Sequence, residues 1–206
     1  MNNNTGNNGN GLSYNSFLDI PEIPYKIIDY EIVHGDERIW KLLKYPTKDA
    51  LSHNNLTLDE KRSMIWTGND TNEQLYNVFL KSLIGNSIDD ASEQSQLRIY
   101  KLGSKPTNQY QSVISYEFDI VCHEKCSNVY YGYNNSILCE RTDVIESLLL
   151  NDLNGNQVTG VGFLKFDRQL DVEDISRLNI SNSKSFYGRS LIMSVRNMVQ
   201  GTDGCM

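Results

Sequence analysis

The chain has 206 residues, 39% of them hydrophobic and 22% charged, enough for one sizeable core given that single domains usually run to roughly 100–200 residues. Nineteen Lys and Arg against 26 Asp and Glu leave a net charge of −7 and a pI near 5.0. That balance argues against gripping nucleic acid by neutralising its phosphates, and no run approaches the roughly 18 apolar residues of a membrane-spanning helix.

Residues 1–16, MNNNTGNNGNGLSYNS, offer almost nothing to bury, so ordering them costs entropy that only a partner surface would offset. They read as a disordered tail or as an arm that orders in an assembly. Pro21 and Pro24 then introduce an apolar segment over residues 25–33 that predicts a helix ended by His34-Gly35. Asp36 caps a second predicted helix to about Tyr45, with Ile39, Trp40, Leu42 and Leu43 as its buried stripe and Pro46 as its stop. Thr57 and Glu60 form a capping box, which predicts a third helix from Leu58 that carries Met64, Ile65 and Trp66 to Gly68. Residues 68–95 mix helical and extended signals and predict an irregular or partly extended segment followed by a mobile loop at 85–96.

A short strand is expected over residues 97–102, followed by the clearest element of the chain, residues 111–122. There Ile114, Tyr116, Phe118, Ile120 and Cys122 alternate with Ser115, Glu117 and Asp119, the two-residue period of a strand with one buried and one wet face. A Tyr-rich loop runs through Tyr133. A helix is expected from residue 136 or 137 to 150, because Ile137, Val144, Ile145, Leu148 and Leu149 fall on one face. Residues 158–170 and 186–198 predict two more strands, and residues 199–206 a loose end. The expected fold is α+β: a four-stranded antiparallel sheet packed by one central helix, with additional N-terminal helices, over a single domain at residues 17–198.

No nucleophile, phosphate loop or dinucleotide fingerprint stands out, so no catalytic, cofactor-binding or metal-binding residue is assigned. Cys122, His123 and Cys126, with Cys139, have the look of a metal clip, but a buried Cys122 is the default because Cys122 and His123 point to opposite faces of a strand. With no hydrophobic leader, the four cysteines (Cys205 is the last) are expected to be reduced in a cytoplasm. His34, His53 and His123 read as structural or solvated. Glu117 and Asp119 share one side of a strand at a spacing that could hold a divalent cation, although a solvated sheet face is the expected role. Tyr130, Tyr131 and Tyr133 suit a protein contact, since such rings add contact area at small entropic cost.

Four segments in order resemble the small neck and tail-completion proteins of tailed bacteriophages: RIWKLLKYPTKDALSHNNLTLDEKRSMIW (residues 38–66), SYEFDIVCHE (115–124), RTDVIESLLL (141–150), and GVGFLKFDR with FYGRSLIMSVRN. The first is the most distinctive, and the likeness spans about residues 27–198. The resemblance implies a non-enzymatic virion protein: a homo-oligomeric ring, hexamer or dodecamer, at the head–tail junction, contacting portal or connector and tail proteins. Genomic DNA would pass through its channel without specific binding, and no cofactor or membrane is involved. On that picture Glu117 and Asp119 face the lumen as an acidic collar, Tyr130, Tyr131 and Tyr133 make assembly contacts, and residues 1–16 or the 85–96 loop reach a neighbouring ring. The rival expectations are a binding module that takes a peptide on a sheet edge and a metal-dependent enzyme using Glu117/Asp119 or the Cys-His cluster.

Overall fold

A computed structural model describes residues 20–81, 93–108, 111–132, 134, 136–169 and 185–198. The arm at 1–16, most of the 85–96 loop, Tyr133 and the end at 199–206 lie outside the described residues.

Helix α1, Ile23–His34, starts with Pro24 in its first turn, where a missing N–H costs nothing, and buries Ile23, Ile27, Ile28 and Ile32 on one face. Helix α2, Glu37–Lys44, begins where the Asp36 carboxylate accepts from Arg38 N at 2.9 Å, and buries Ile39, Trp40, Leu42 and Leu43. Helix α3, Leu58–Ser63, opens on the expected capping box: Glu60 N donates to Thr57 Oγ1 at 3.3 Å and Thr57 N to Glu60 Oε2 at 2.8 Å. It stops sooner than expected, because Ile65 and Trp66 pair as a short strand.

The strands in chain order are β1 (Ile65–Trp66), β2 (Val78–Phe79), β3 (Ser95–Asn108), β4 (Gln111–His123), β5 (Asn128–Tyr131), β6 (Ile137–Glu140), β7 (Gln157–Val158), β8 (Gly162–Gln169) and β9 (Phe186–Met198). Helix α4, Arg141–Leu153, lies between β6 and β7. Seven strands make one mixed, curled sheet in the order β1-β2-β3-β4-β9-β8-β7, with β1, β2 and β3 parallel and the remaining pairs antiparallel. Strands β5 and β6 form a separate antiparallel ribbon.

This corrects the expected four-stranded antiparallel sheet with one central helix. The extra strands β1, β2 and β7 are two residues long, too short to show any period. The helix expected from residue 136 or 137 begins instead at Arg141. Ile137 matches the helical phase of Val144 and Leu148, but it pairs across the ribbon with Tyr131.

Strand β4 does sit at the middle of the sheet, with Phe118 opposite Ile99 on β3 and Leu191 on β9. Its apolar side, Ile114, Tyr116, Phe118 and Ile120, joins Leu97, Ile99, Leu191, Met193 and Val195, and the helices supply Trp40, Leu42, Ile145, Leu148 and Leu149 to the same core. Arg141 ties the layers together. Its buried guanidinium donates to four carbonyls: from Nε to Cys126 at 2.6 Å, from Nη1 to Leu42 at 2.7 Å and Tyr45 at 2.8 Å, and from Nη2 to Thr47 at 2.7 Å. Two of these carbonyls belong to α2 and its C-cap, the negative end of that helix dipole. Helix α4 is thereby locked to α2, to the turn after it and to the turn Glu124–Cys126 that follows β4.

Candidate functional site

The polar side of β4 is the first place to look for chemistry. Asp119 lies across from Arg98 on β3 and Ser190 on β9, and Glu117 from Tyr100 and Ile192. The expectation that these residues face water is overturned: Asp119 is 1% exposed, Glu117 4% and Arg98 2%. The Tyr100 hydroxyl donates to Asp119 Oδ2 at 2.9 Å, the Ser190 hydroxyl donates to Oδ1, and Arg98 Nη2 donates to Gln96 Oε1 at 3.2 Å. Burial pushes the Asp119 carboxyl up to about 6. The Ser190 hydroxyl opposes the rise, Glu117 adds to it, and Tyr100 and Arg98 oppose it. Burial also raises the Tyr100 phenol, helped by Asp119. A carboxyl perturbed in this way would mark a functional site if a cleft led to it. Here the group is shut from solvent and both of its oxygens are spent on neighbouring strands, so the cluster holds β3, β4 and β9 together. It does not present an acidic collar on the surface of this chain.

The cysteine corner lies at the end of the same strand. Cys122 and Cys126 are buried with their sulfurs 3.5 Å apart, and Ser95 Oγ lies 3.5 Å from the first and 3.9 Å from the second. The thiol–thiol hydrogen bond makes Cys126 the more acidic of the two, with the Arg141 charge adding to the effect, while that bond and burial push Cys122 up. His123 turns its Nδ1 to accept from Lys125 N at 3.1 Å and packs edge-on against Phe186. Cys139 is half-buried on β6, opposite Val129. Among the described residues no three His, Cys, Asp or Glu side chains assemble to hold a metal, and Cys205 lies outside them. His34 leans on Tyr30, and His53 stacks on Tyr45 with ring centres 3.9 Å apart.

Glu31 is a third buried carboxyl, one the sequence did not flag. It sits inside α1 among isoleucines, and neither of its oxygens has a hydrogen-bond partner. Burial raises its pKa well above the usual carboxylate range; Asp152 and Asp36 raise it further, and Lys61 opposes them. The carboxyl also lies directly against Gly35, so any side chain there would collide with it.

The ribbon is built differently. Tyr130 N donates to Lys48 O at 2.8 Å, which anchors one edge of it to the body, and Arg141 N donates to Ser127 O at 2.6 Å, which closes the base of the ribbon where α4 begins. Its other face carries Tyr130 and Leu138, directly paired and 42% and 50% exposed, beside the exposed pair Asn128 and Glu140. Ile137 is exposed as well. Tyr131 is half-buried, and its hydroxyl accepts from Arg38 Nη1 at 3.2 Å. Of the three tyrosines singled out from sequence, Tyr130 is thus the exposed one, Tyr131 is partly tied down, and Tyr133 lies outside the described residues. Leu138 falls in the stretch that the sequence predicts as helix, and its place on a strand of the ribbon has no local signal. No described helix is long and apolar enough to cross a membrane.

Compared with known proteins, the model of the YomW family matches residues 36–195, a span that takes in α2, the ribbon and the sheet as far as Val195 on β9. The family is phage-gene-like and suggests a phage-associated protein. No curated protein matches the chain.

Proposed function

The chain belongs to the YomW family, and on that premise we propose that it is a structural component of a tailed phage particle, forming a ring at the head–tail junction. The observation that carries this reading is where the side chains are used. The buried acids, thiols and guanidinium are enclosed in the fold, whereas the ribbon between β4 and α4 turns an aromatic and an aliphatic side chain to solvent. Side chains of that kind on an anchored ribbon supply contact area to a protein partner. The ordered likeness of four segments to neck and tail-completion proteins supports the position in the particle, and the α+β body supplies a rigid unit for repetition by symmetry. In this role the protein joins portal or connector to tail and performs no reaction.

The test is to delete the gene from the phage that encodes it and to probe purified particles with antibody against the chain. The proposal expects separated heads and tails in the deletion, and label concentrated at the junction in the intact particle. Infectious particles of normal appearance without the protein would overturn it.

A further inference from the structure

A ring built from one kind of subunit needs two different surfaces on opposite sides of each copy, one to present and one to receive. Helix α4 separates two exposed patches in this way. The ribbon ends at Glu140, the residue that opens α4. At the far end, beyond 13 residues or about 20 Å of helix, the C-cap residue Asn154 accepts from Phe166 N at 2.9 Å and Gly155 N donates to Leu164 O at 2.7 Å, which fixes β8 there.

The patches match in chemistry and in spacing. On β8, ahead of the register shift that leaves the exposed Asp167 unpaired, the side chains facing away from buried Leu164 are Phe163, 55% exposed, and Lys165, also exposed. On β6 the outward side chains are Leu138, 50% exposed, and Glu140, also exposed, with Tyr130 beside Leu138. Each strand therefore shows one apolar side chain and, two residues further on, one charge, and the charges are opposite. Glu140 and Lys165 make no ion pair among the described residues.

Resting on the ring reading above, we propose that the ribbon face of one copy (Tyr130, Leu138, Glu140) docks on the β8 face (Phe163, Lys165) of the next, with Leu138 against Phe163 and Glu140 against Lys165. The contact is head-to-tail, so it repeats from copy to copy and makes a ring where the rotation between copies closes. The apolar pair supplies most of the affinity and the ion pair fixes the register.

Light scattering on the full chain and its variants tests the docking, with thermal melting to confirm that each variant is folded. The wild-type chain self-associates. Glu140→Lys and Lys165→Glu each weaken that association roughly tenfold or more, the double exchange restores it, and Leu138→Asp and Phe163→Asp abolish it. Self-association that ignores these substitutions, or single exchanges that the double does not rescue, would overturn this interface and leave the ring reading standing. A wild-type chain that stays monomeric at every concentration reached would overturn both.

Discussion

Strands β4 and β6 make opposite use of their side chains. Strand β4 has the cleaner alternation of polar and apolar residues, yet it is buried on both sides, because Arg98, Tyr100 and Ser190 meet its acidic residues from the neighbouring strands. Strand β6, ILCE, has no alternation to speak of, and it turns Ile137 and Leu138 to solvent. Polarity in a strand reports which face a residue occupies, and the neighbours decide whether that face is wet. A carboxylate with hydroxyl donors and a guanidinium across the sheet is tolerated inside. An apolar side chain on a two-stranded ribbon has nothing of its own to cover it.

The largest effect is expected from removing the buried cation that ties α4 to α2 and to the turn leading into the ribbon. Arg141→Met leaves the carbonyls of Leu42, Tyr45, Thr47 and Cys126 without their shared donor, and we expect a loss of about 3–5 kcal/mol in urea unfolding. A change under about 1 kcal/mol would mean that the four bonds are replaced by water at little cost.

Next in size is the interior of β4 itself. The folded-state pKa of Asp119 is raised to about 6 from an unfolded value near 4, so its favourable contribution is complete below about pH 4 and is lost as pH rises through 6. Asp119→Asn should therefore flatten the pH dependence of stability between about pH 4 and 7, by on the order of 2 kcal/mol across the window. Parallel pH profiles for the two proteins would show that Asp119 ionises freely in the fold.

Glu31 follows the same sign with a simpler environment. Its raised pKa means that the folded state is penalised as pH rises and the group ionises, with no hydrogen bond to compensate. Glu31→Gln should stabilise the chain by about 1 kcal/mol at neutral pH and by less at pH 4, read from thermal melting in the two buffers. The smallest expected effect on stability is at the ribbon. Leu138→Ser should change unfolding by no more than about 0.5 kcal/mol while weakening self-association, since the residue is half exposed and covers no core. A large loss of stability there would place Leu138 in the fold and not at a contact.

Much of the fold was legible because its signals are local. The capping box at Thr57 and Glu60, the Asp36 cap and the strand period of β4 each need only neighbours within a few residues; the two caps and the strand are present as read, whereas the polar face of that strand, expected to be wet, is buried. What escaped depends on residues far apart in the chain. Asp119 is buried by Ser190, 71 positions away, and Tyr100, 19 away; Arg141 finds its carbonyls up to 99 positions off. Ile137 lay in phase with α4 and was drawn into it, whereas the pairing with Tyr131 that makes it a strand leaves no mark in the local pattern. The candidate site was legible only in part: Tyr130 and its neighbours stood out as aromatic, but the apolar partner Leu138 and the matching face of β8 emerge only once the ribbon and α4 are in place.

Electron microscopy of the purified full-length chain, imaged alone at the concentration where scattering shows self-association, shows whether its copies close into a ring. Closed rings of uniform size with a central opening are expected. Single globular particles, or open fibres that never close, would contradict it.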